Sequence, residues 1–135
     1  AHDLGCAVLP NGLLVAIAIV QDPHVHLIGS DHELTRALSS EELIRLAVTN
    51  LVNRLARKEV PTKLRSIDET HTLAIGPHLL ASSCLLLPDL RLWAQEATGI
   101  EGDLYAIALR RDLLLVLPES VERPEDTWAP PLLLT

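Results

Sequence analysis

The chain has 135 residues, of which 48% are apolar, and its 18 acidic and 11 basic residues give a formal net charge of −7. A chain of this length can bury roughly two-thirds of its unfolded surface in one core. That core must be aliphatic, because the chain has two Trp, one Tyr, no Phe and no Met. Scarce aromatic rings and a negative charge argue against nucleic acid and anionic lipid as partners.

No apolar run approaches the roughly 18 to 20 residues that span a bilayer, so we expect no membrane partner. The two cysteines, Cys6 and Cys84, stand far apart in apolar stretches, where a free cysteine behaves as a small buried hydrophobe. A single disulfide between them is the alternative. Reduced cysteines favour a cytoplasmic location.

The first predicted element is the apolar run "LLVAIAIV", residues 13–20. Its length and its β-branched residues predict a strand buried on both faces, at the centre of a sheet. After a turn at Asp22 and Pro23, "HVHLIG" predicts an antiparallel hairpin partner. Since side chains alternate along a strand, His24 and His26 would share one face.

A helix is predicted next, over about residues 40–57. Ser39 and Glu42 form a capping-box pattern at its start, and Glu41 adds negative charge at the positive end of the helix dipole. A broad apolar stripe is expected to pack on a sheet or another helix. Its members are Leu43, Ile44, Ala47, Val48, Leu51, Val52 and Leu55.

The second half of the chain predicts two more hairpins with helical segments between them. Residues 62–68 and 70–76 alternate as one strand pair, and residues 103–109 and 112–117 form the other. Between them, Pro88 is expected as the first residue of a helix that ends at Gly99. Strand pairs separated by helices predict an α+β fold, with a largely antiparallel sheet and helices covering one face.

We expect residues 1–120 to form a single α+β domain. Residues 121–135 change composition to a Pro-rich segment that is first acidic and then apolar, with Trp128 followed by three leucines. Such a tail cannot fold alone. It is expected to pack on the domain or on a partner.

Three segments together resemble the YtpQ-like family, an uncharacterised bacterial group described as a domain of unknown function. They are "SSEELIRLAVTNLVNRL" from Ser39, "LLASSCLLLPDL" from Leu79 and "GDLYAIALRRDLLLVLPES" from Gly102. The resemblance covers residues 13–120 and implies a mixed α and β fold without a known reaction. The chain departs from the family pattern at Pro77 and His78, where members often carry a Gly-Tyr-like stretch.

The clearest candidate for a metal site is "QDPHVHLIGSDH", residues 21–32. His24 and His26 have a metal-ligand spacing, and Asp22, Asp31 or His32 could complete the set if the following loop folded back. A solvated strand face explains the same histidines, and we favour that explanation. No cofactor is therefore expected.

Motifs for covalent and phosphate chemistry do not occur. Ser82 and Ser83 lack a Gly-x-Ser-x-Gly elbow, and the six glycines form no phosphate-binding loop. Arg110 and Arg111 are turn residues that could also hold an anionic ligand or an acidic side chain of a partner.

These observations favour a non-enzymatic binding or assembly module over an enzyme. Its partner would be another protein or a second copy in a homodimer. The predicted partner-binding residues are Trp128, Leu132, Leu133, Arg110 and Arg111. The alternative is a small metal-dependent hydrolase that uses His24, His26, Asp31 and His32.

Overall fold

A computed structural model of the chain describes residues 6–8, 14–21, 24–29, 33–67, 69–120 and 131–134. The chain forms two compact units, Ala1–Asn50 and Leu51–Thr135. The fold is α+β, and the strand pairs that the structure describes are all antiparallel, in agreement with the prediction of a largely antiparallel sheet.

The first unit contains two separate strand pairs and the beginning of the long helix. Its strands are β1 (Cys6–Val8), β2 (Leu14–Ala16), β3 (Ala18–Gln21) and β4 (His24–Leu27). β1 pairs with β2, and β3 pairs with β4. A short helix, α1 (Glu33–Ala37), follows and leads to α2 (Ser40–Ala56).

The prediction of one central strand over residues 13–20 is wrong. The run divides at Ile17, and its two halves pair with different neighbours in sequence, the strand before it and the strand after it. Ala16 is exposed. Each half finds a nearby antiparallel partner, so neither half enters the large sheet.

Helix α2 begins and ends within one residue of its predicted limits. The Ser39 hydroxyl accepts a hydrogen bond from the Glu42 amide at 3.2 Å and donates one to the Glu42 carboxylate at 3.1 Å, so the predicted cap is confirmed. The apolar stripe is narrower than predicted. Leu43 and Leu51 are buried, whereas Ala47 and Val52 are exposed.

The second unit is built on a five-stranded sheet. Its strands are β5 (Thr62–Ile67), β6 (Thr70–Ile75), β7 (Leu104–Arg110), β8 (Leu113–Pro118) and β9 (Leu132–Leu133). The spatial order is β5-β6-β8-β7-β9. Both predicted hairpins, β5–β6 and β7–β8, are confirmed. They join where Leu73 pairs with Val116 and Ile75 with Leu114.

Strand β8 occupies the centre of this sheet, and all of its residues are buried. Alternate side chains divide between two apolar clusters, one on each face of the sheet. Leu114 and Val116 belong to one cluster, and Leu115 and Leu117 to the other. The continuous apolar sequence "LLLVL" is therefore what burial on both faces requires.

Helices cover one face of the sheet, as predicted. Leu51 and Leu55 of α2, Cys84 of a 3₁₀ helix (Ser82–Leu86) and Leu90 and Ala94 of α3 (Leu90–Thr98) belong to the same cluster as Leu114. This packing gives the unit a single aliphatic layer between sheet and helices.

Helix α3 ends as predicted and begins later than predicted. Gly99 caps it in the left-handed conformation, with φ of 75°, and donates its amide hydrogen to the Gln95 carbonyl. Asp89 is the N-cap, so Pro88 lies just outside the helix rather than at its first position. The described residues include no helix that is long and apolar enough to cross a bilayer.

Candidate interaction surface

The paired histidines lie on the β3–β4 hairpin of the first unit. Gln21 pairs with His24 and Ile19 with His26, so the two imidazoles share a face, as predicted. Both are exposed, and their ring centroids are 6.4 Å apart. The other candidate ligands, Asp22, Asp31 and His32, lie outside the described residues. Among the described residues, no three His, Cys, Asp or Glu side chains form a group suited to a metal ion.

The predicted arginine pair lies at the turn between β7 and β8, which we call the closing turn (Arg110–Asp112). Arg110 ends β7, where an irregularity in the register falls between Ala108 and Arg110. Its Nε lies 3.5 Å from Oδ1 of Asp112, and both side chains are largely exposed. An exposed ion pair of this kind contributes at most about 1 kcal/mol, so these charges are held loosely and remain accessible.

The backbone of the closing turn is held by the segment that follows β6. The His78 amide donates to the Asp112 carbonyl at 2.9 Å, and the Ser82 hydroxyl donates to the Arg111 carbonyl at 3.0 Å. Nδ1 of His78 accepts a hydrogen bond from the Leu80 amide at 3.0 Å. His78, through its backbone amide, and Ser82, through its hydroxyl, therefore hold the turn, while the imidazole of His78 bonds to Leu80 in its own segment.

Cys84 is buried among apolar side chains beneath this segment. It is a free thiol, as the sequence predicts, and Sγ lies 3.8 Å from the Leu80 carbonyl oxygen. Burial raises its pKa from 9.0 to about 12. The thiol is consequently protonated at neutral pH and is a poor nucleophile. The side chain of Cys6 lies outside the described residues.

Strand β9 is the outermost strand of the sheet, next to β7. In β9, Leu132 pairs with Ala106 and Leu133 with Tyr105. The Leu134 amide donates to the Leu104 carbonyl at 2.9 Å, and its side chain is buried in the cluster beneath the helices. Leu133 differs from it, since 45% of its surface is exposed. Trp128 lies outside the described residues.

Four of the five predicted partner-binding residues therefore belong to one edge of the sheet. Leu132 and Leu133 lie beside the beginning of β7, and Arg110 and Arg111 lie at its end. The rise of about 3.4 Å per residue separates Tyr105 and Arg110 by roughly 17 Å. We call this region the terminal edge: β7, β9 and the closing turn.

Sequence reasoning missed the hydrogen bonds from His78 and Ser82 to the closing turn. These residues lie about thirty positions from their partners, and neither spacing nor residue type indicates such a contact. No family model, no curated protein and no solved structure matches the chain.

Proposed function

We propose that the protein is a non-enzymatic binding or assembly module that acts through the terminal edge and self-associates as a homodimer. The observation that carries this proposal is Leu133, which is 45% exposed on the outermost strand while its neighbour Leu134 is buried. An edge strand offers unpaired backbone groups, and an exposed leucine beside them adds apolar surface. Together they favour addition of another strand.

The closing turn supports the same proposal through charge. Arg110 and Arg111 are both exposed at the far end of β7. Arginine is enriched at protein interfaces because its planar fork binds carboxylates in two places. Trp128 is proposed as an additional apolar anchor from sequence alone. The resemblance to the YtpQ-like family, with a bacterial and cytoplasmic origin, forms part of this proposal.

The test is self-association measured by multi-angle light scattering over a range of protein concentrations. We expect the full chain to form a dimer, and a chain truncated after Pro118 to be monomeric. A Leu133→Ser variant should weaken the dimer while Leu134 still anchors the strand. Leu92→Ser, at a residue 58% exposed on α3, is the matched control and should leave the dimer unchanged.

Two results would contradict the proposal. The first is a full chain that remains monomeric at every concentration. The second is a dimer that Leu133→Ser and the truncation leave intact, provided that circular dichroism shows folded protein in each case.

The alternative, a small metal-dependent hydrolase, is favoured by one observation: the two imidazoles of β4 share a face with centroids 6.4 Å apart. Two histidines at this spacing supply part of a zinc ligand set. A zinc titration of the wild type and of a His24→Ala/His26→Ala double variant decides between the two functions. Submicromolar binding that the double variant loses would favour the hydrolase.

A further inference from the structure

Strand β5 forms the edge of the five-stranded sheet opposite β9. It pairs with β6 along its whole length, from Thr62 with Ile75 to Ile67 with Thr70. Five of its six side chains are exposed, and only Ile67 is half-buried. Since alternate residues of an edge strand direct their N–H and C=O groups outward, β5 presents a regular row of hydrogen-bonding groups.

Basic residues are concentrated on this strand and on the residues that precede it. Five of the eleven lysines and arginines lie within residues 54–65, although the chain as a whole carries a charge of −7. They are Arg54, Arg57, Lys58, Lys63 and Arg65. The one carboxylate in this stretch, Glu59, is held by Nε of Arg57 at 3.0 Å. Residues 54–65 therefore carry a formal net charge of +4, and Asp68 and Glu69 follow at the end of β5.

Two of these cations lie on the strand itself. Lys63 and Arg65 are two residues apart, so they share a face, and they pair with Ala74 and Thr72 of β6. Within the described part of the chain neither forms an ion pair. Leu64 lies between them on the opposite face and is 47% exposed.

We propose that β5 binds an acidic, extended segment of a partner protein, which adds to the sheet as a sixth strand. The outward backbone groups of β5 would hydrogen-bond to the segment. Carboxylates at alternate positions of the segment would face Lys63 and Arg65, and an apolar residue between them would lie beside Leu64. A second copy of β5 is a poorer occupant, because antiparallel pairing brings cations of both strands close together.

The proposal is tested with the full chain and a fluorescein-labelled peptide of alternating Glu and Val, by fluorescence anisotropy at about 0.15 M salt. We expect saturable binding, weakened at least about tenfold in a Lys63→Glu/Arg65→Glu variant, since tenfold corresponds to only about 1.4 kcal/mol. An Arg36→Glu/Arg45→Glu variant makes the same charge change at exposed residues of α1 and α2, outside both proposed binding surfaces, and should bind normally. If charge reversal on β5 prevents folding, a Lys63→Gln/Arg65→Gln variant, which only removes the two positive charges, replaces it in the same test and should also weaken binding.

Two further probes separate strand addition from attraction to any anion. A peptide of the same sequence with N-methylated alternate residues keeps its charge and loses backbone donors, and we expect it to bind at least about tenfold more weakly. Amide hydrogen exchange over Thr62–Ile67 should slow when the unmodified peptide binds. The proposal is overturned if no binding occurs, or if the methylated peptide or a single-stranded thymidine oligonucleotide binds equally well. It is also overturned if the Arg36/Arg45 variant loses binding as fully as the β5 variant.

Discussion

Gly76 provides the sharpest test of how the second unit is held together. It directly follows β6 with φ of 113°, a backbone conformation that residues with a Cβ rarely adopt. A Cβ at this position would collide with the carbonyl oxygen of Asp112, the same oxygen that accepts the His78 amide. A Gly76→Ala substitution therefore strains the backbone and also pushes the closing turn away from its support.

Two other glycines separate these effects. Gly99 also has a positive φ, of 75°, but nothing lies within 4 Å of an added Cβ, so Gly99→Ala should cost only the conformational penalty of about 1–2 kcal/mol. Gly102 has open space around it and no positive φ, and Gly102→Ala should change stability by at most about 0.5 kcal/mol. Gly76→Ala combines a strained conformation, about 1–3 kcal/mol, with a backbone collision, and we expect about 3 kcal/mol or more.

The assay is equilibrium unfolding in urea, followed by the fluorescence of Trp93, which packs against the core cluster of the second unit. A Trp128→Phe background leaves Trp93 as the chain's single tryptophan. We expect the urea midpoint to be highest for Gly102→Ala, lower for Gly99→Ala and lowest for Gly76→Ala, with an unchanged dependence of the unfolding free energy on urea concentration. If Gly76→Ala were no more destabilising than Gly99→Ala, the inferred collision with Asp112 would be wrong.

Three further predictions concern the core and the helix cap. Leu115→Ala should lower the free energy of unfolding by about 2–5 kcal/mol in the same assay, because Leu115 is buried in the cluster on the second face of the sheet. Leu92→Ala, at an exposed site, should lower it by less than about 0.5 kcal/mol. Equal losses for the two variants would contradict the burial of that face. Ser39→Ala removes the cap of α2 and should lower the free energy of unfolding by about 1 kcal/mol. The measurement is the midpoint of unfolding followed by the helical circular dichroism signal. An unchanged midpoint would show that the cap does not stabilise the fold. Burial raises the pKa of Cys84 from 9.0 to about 12, so above pH 9 the thiol ionises in the unfolded chain and stays protonated in the folded chain. The free energy of unfolding should therefore fall by about 1.4 kcal/mol per pH unit between pH 9 and 12. A Cys84→Ala variant that shows the same decline would contradict this assignment.

Local signals in the sequence predicted local structure well. The Ser39 cap, the Gly99 cap and the two hairpins of the second unit each depend on residues close together in the chain, and each is present. The central strand of the large sheet is β8, and not the apolar run at residues 13–20. Residues 13–20 and 113–117 are both continuous and aliphatic, and composition cannot tell which of them finds partners on both sides.

The candidate surface was predicted in part. Alternation along a strand placed His24 and His26 on one face, and the turn signal placed Arg110 and Arg111 together. The pairing of Leu132 with Ala106 could not be inferred, because a short apolar segment carries no signal for a distant partner. The sequence also does not indicate that Lys63 and Arg65 lie on an edge strand, because only the order of the strands in the sheet places β5 at an edge.

Because the short strand β9 already pairs with β7, the two sides of the sheet differ in how easily they can accept a strand from another molecule. β8 and β9 belong to the same chain, so the pairing of β9 with β7 is intramolecular. An incoming segment must outcompete this resident strand to reach the part of β7 that β9 occupies, whereas β5 has no such built-in rival among the described residues. Occupancy of β7 should accordingly depend on how often β9 separates from it, while occupancy of β5 should depend only on the concentration and affinity of the ligand.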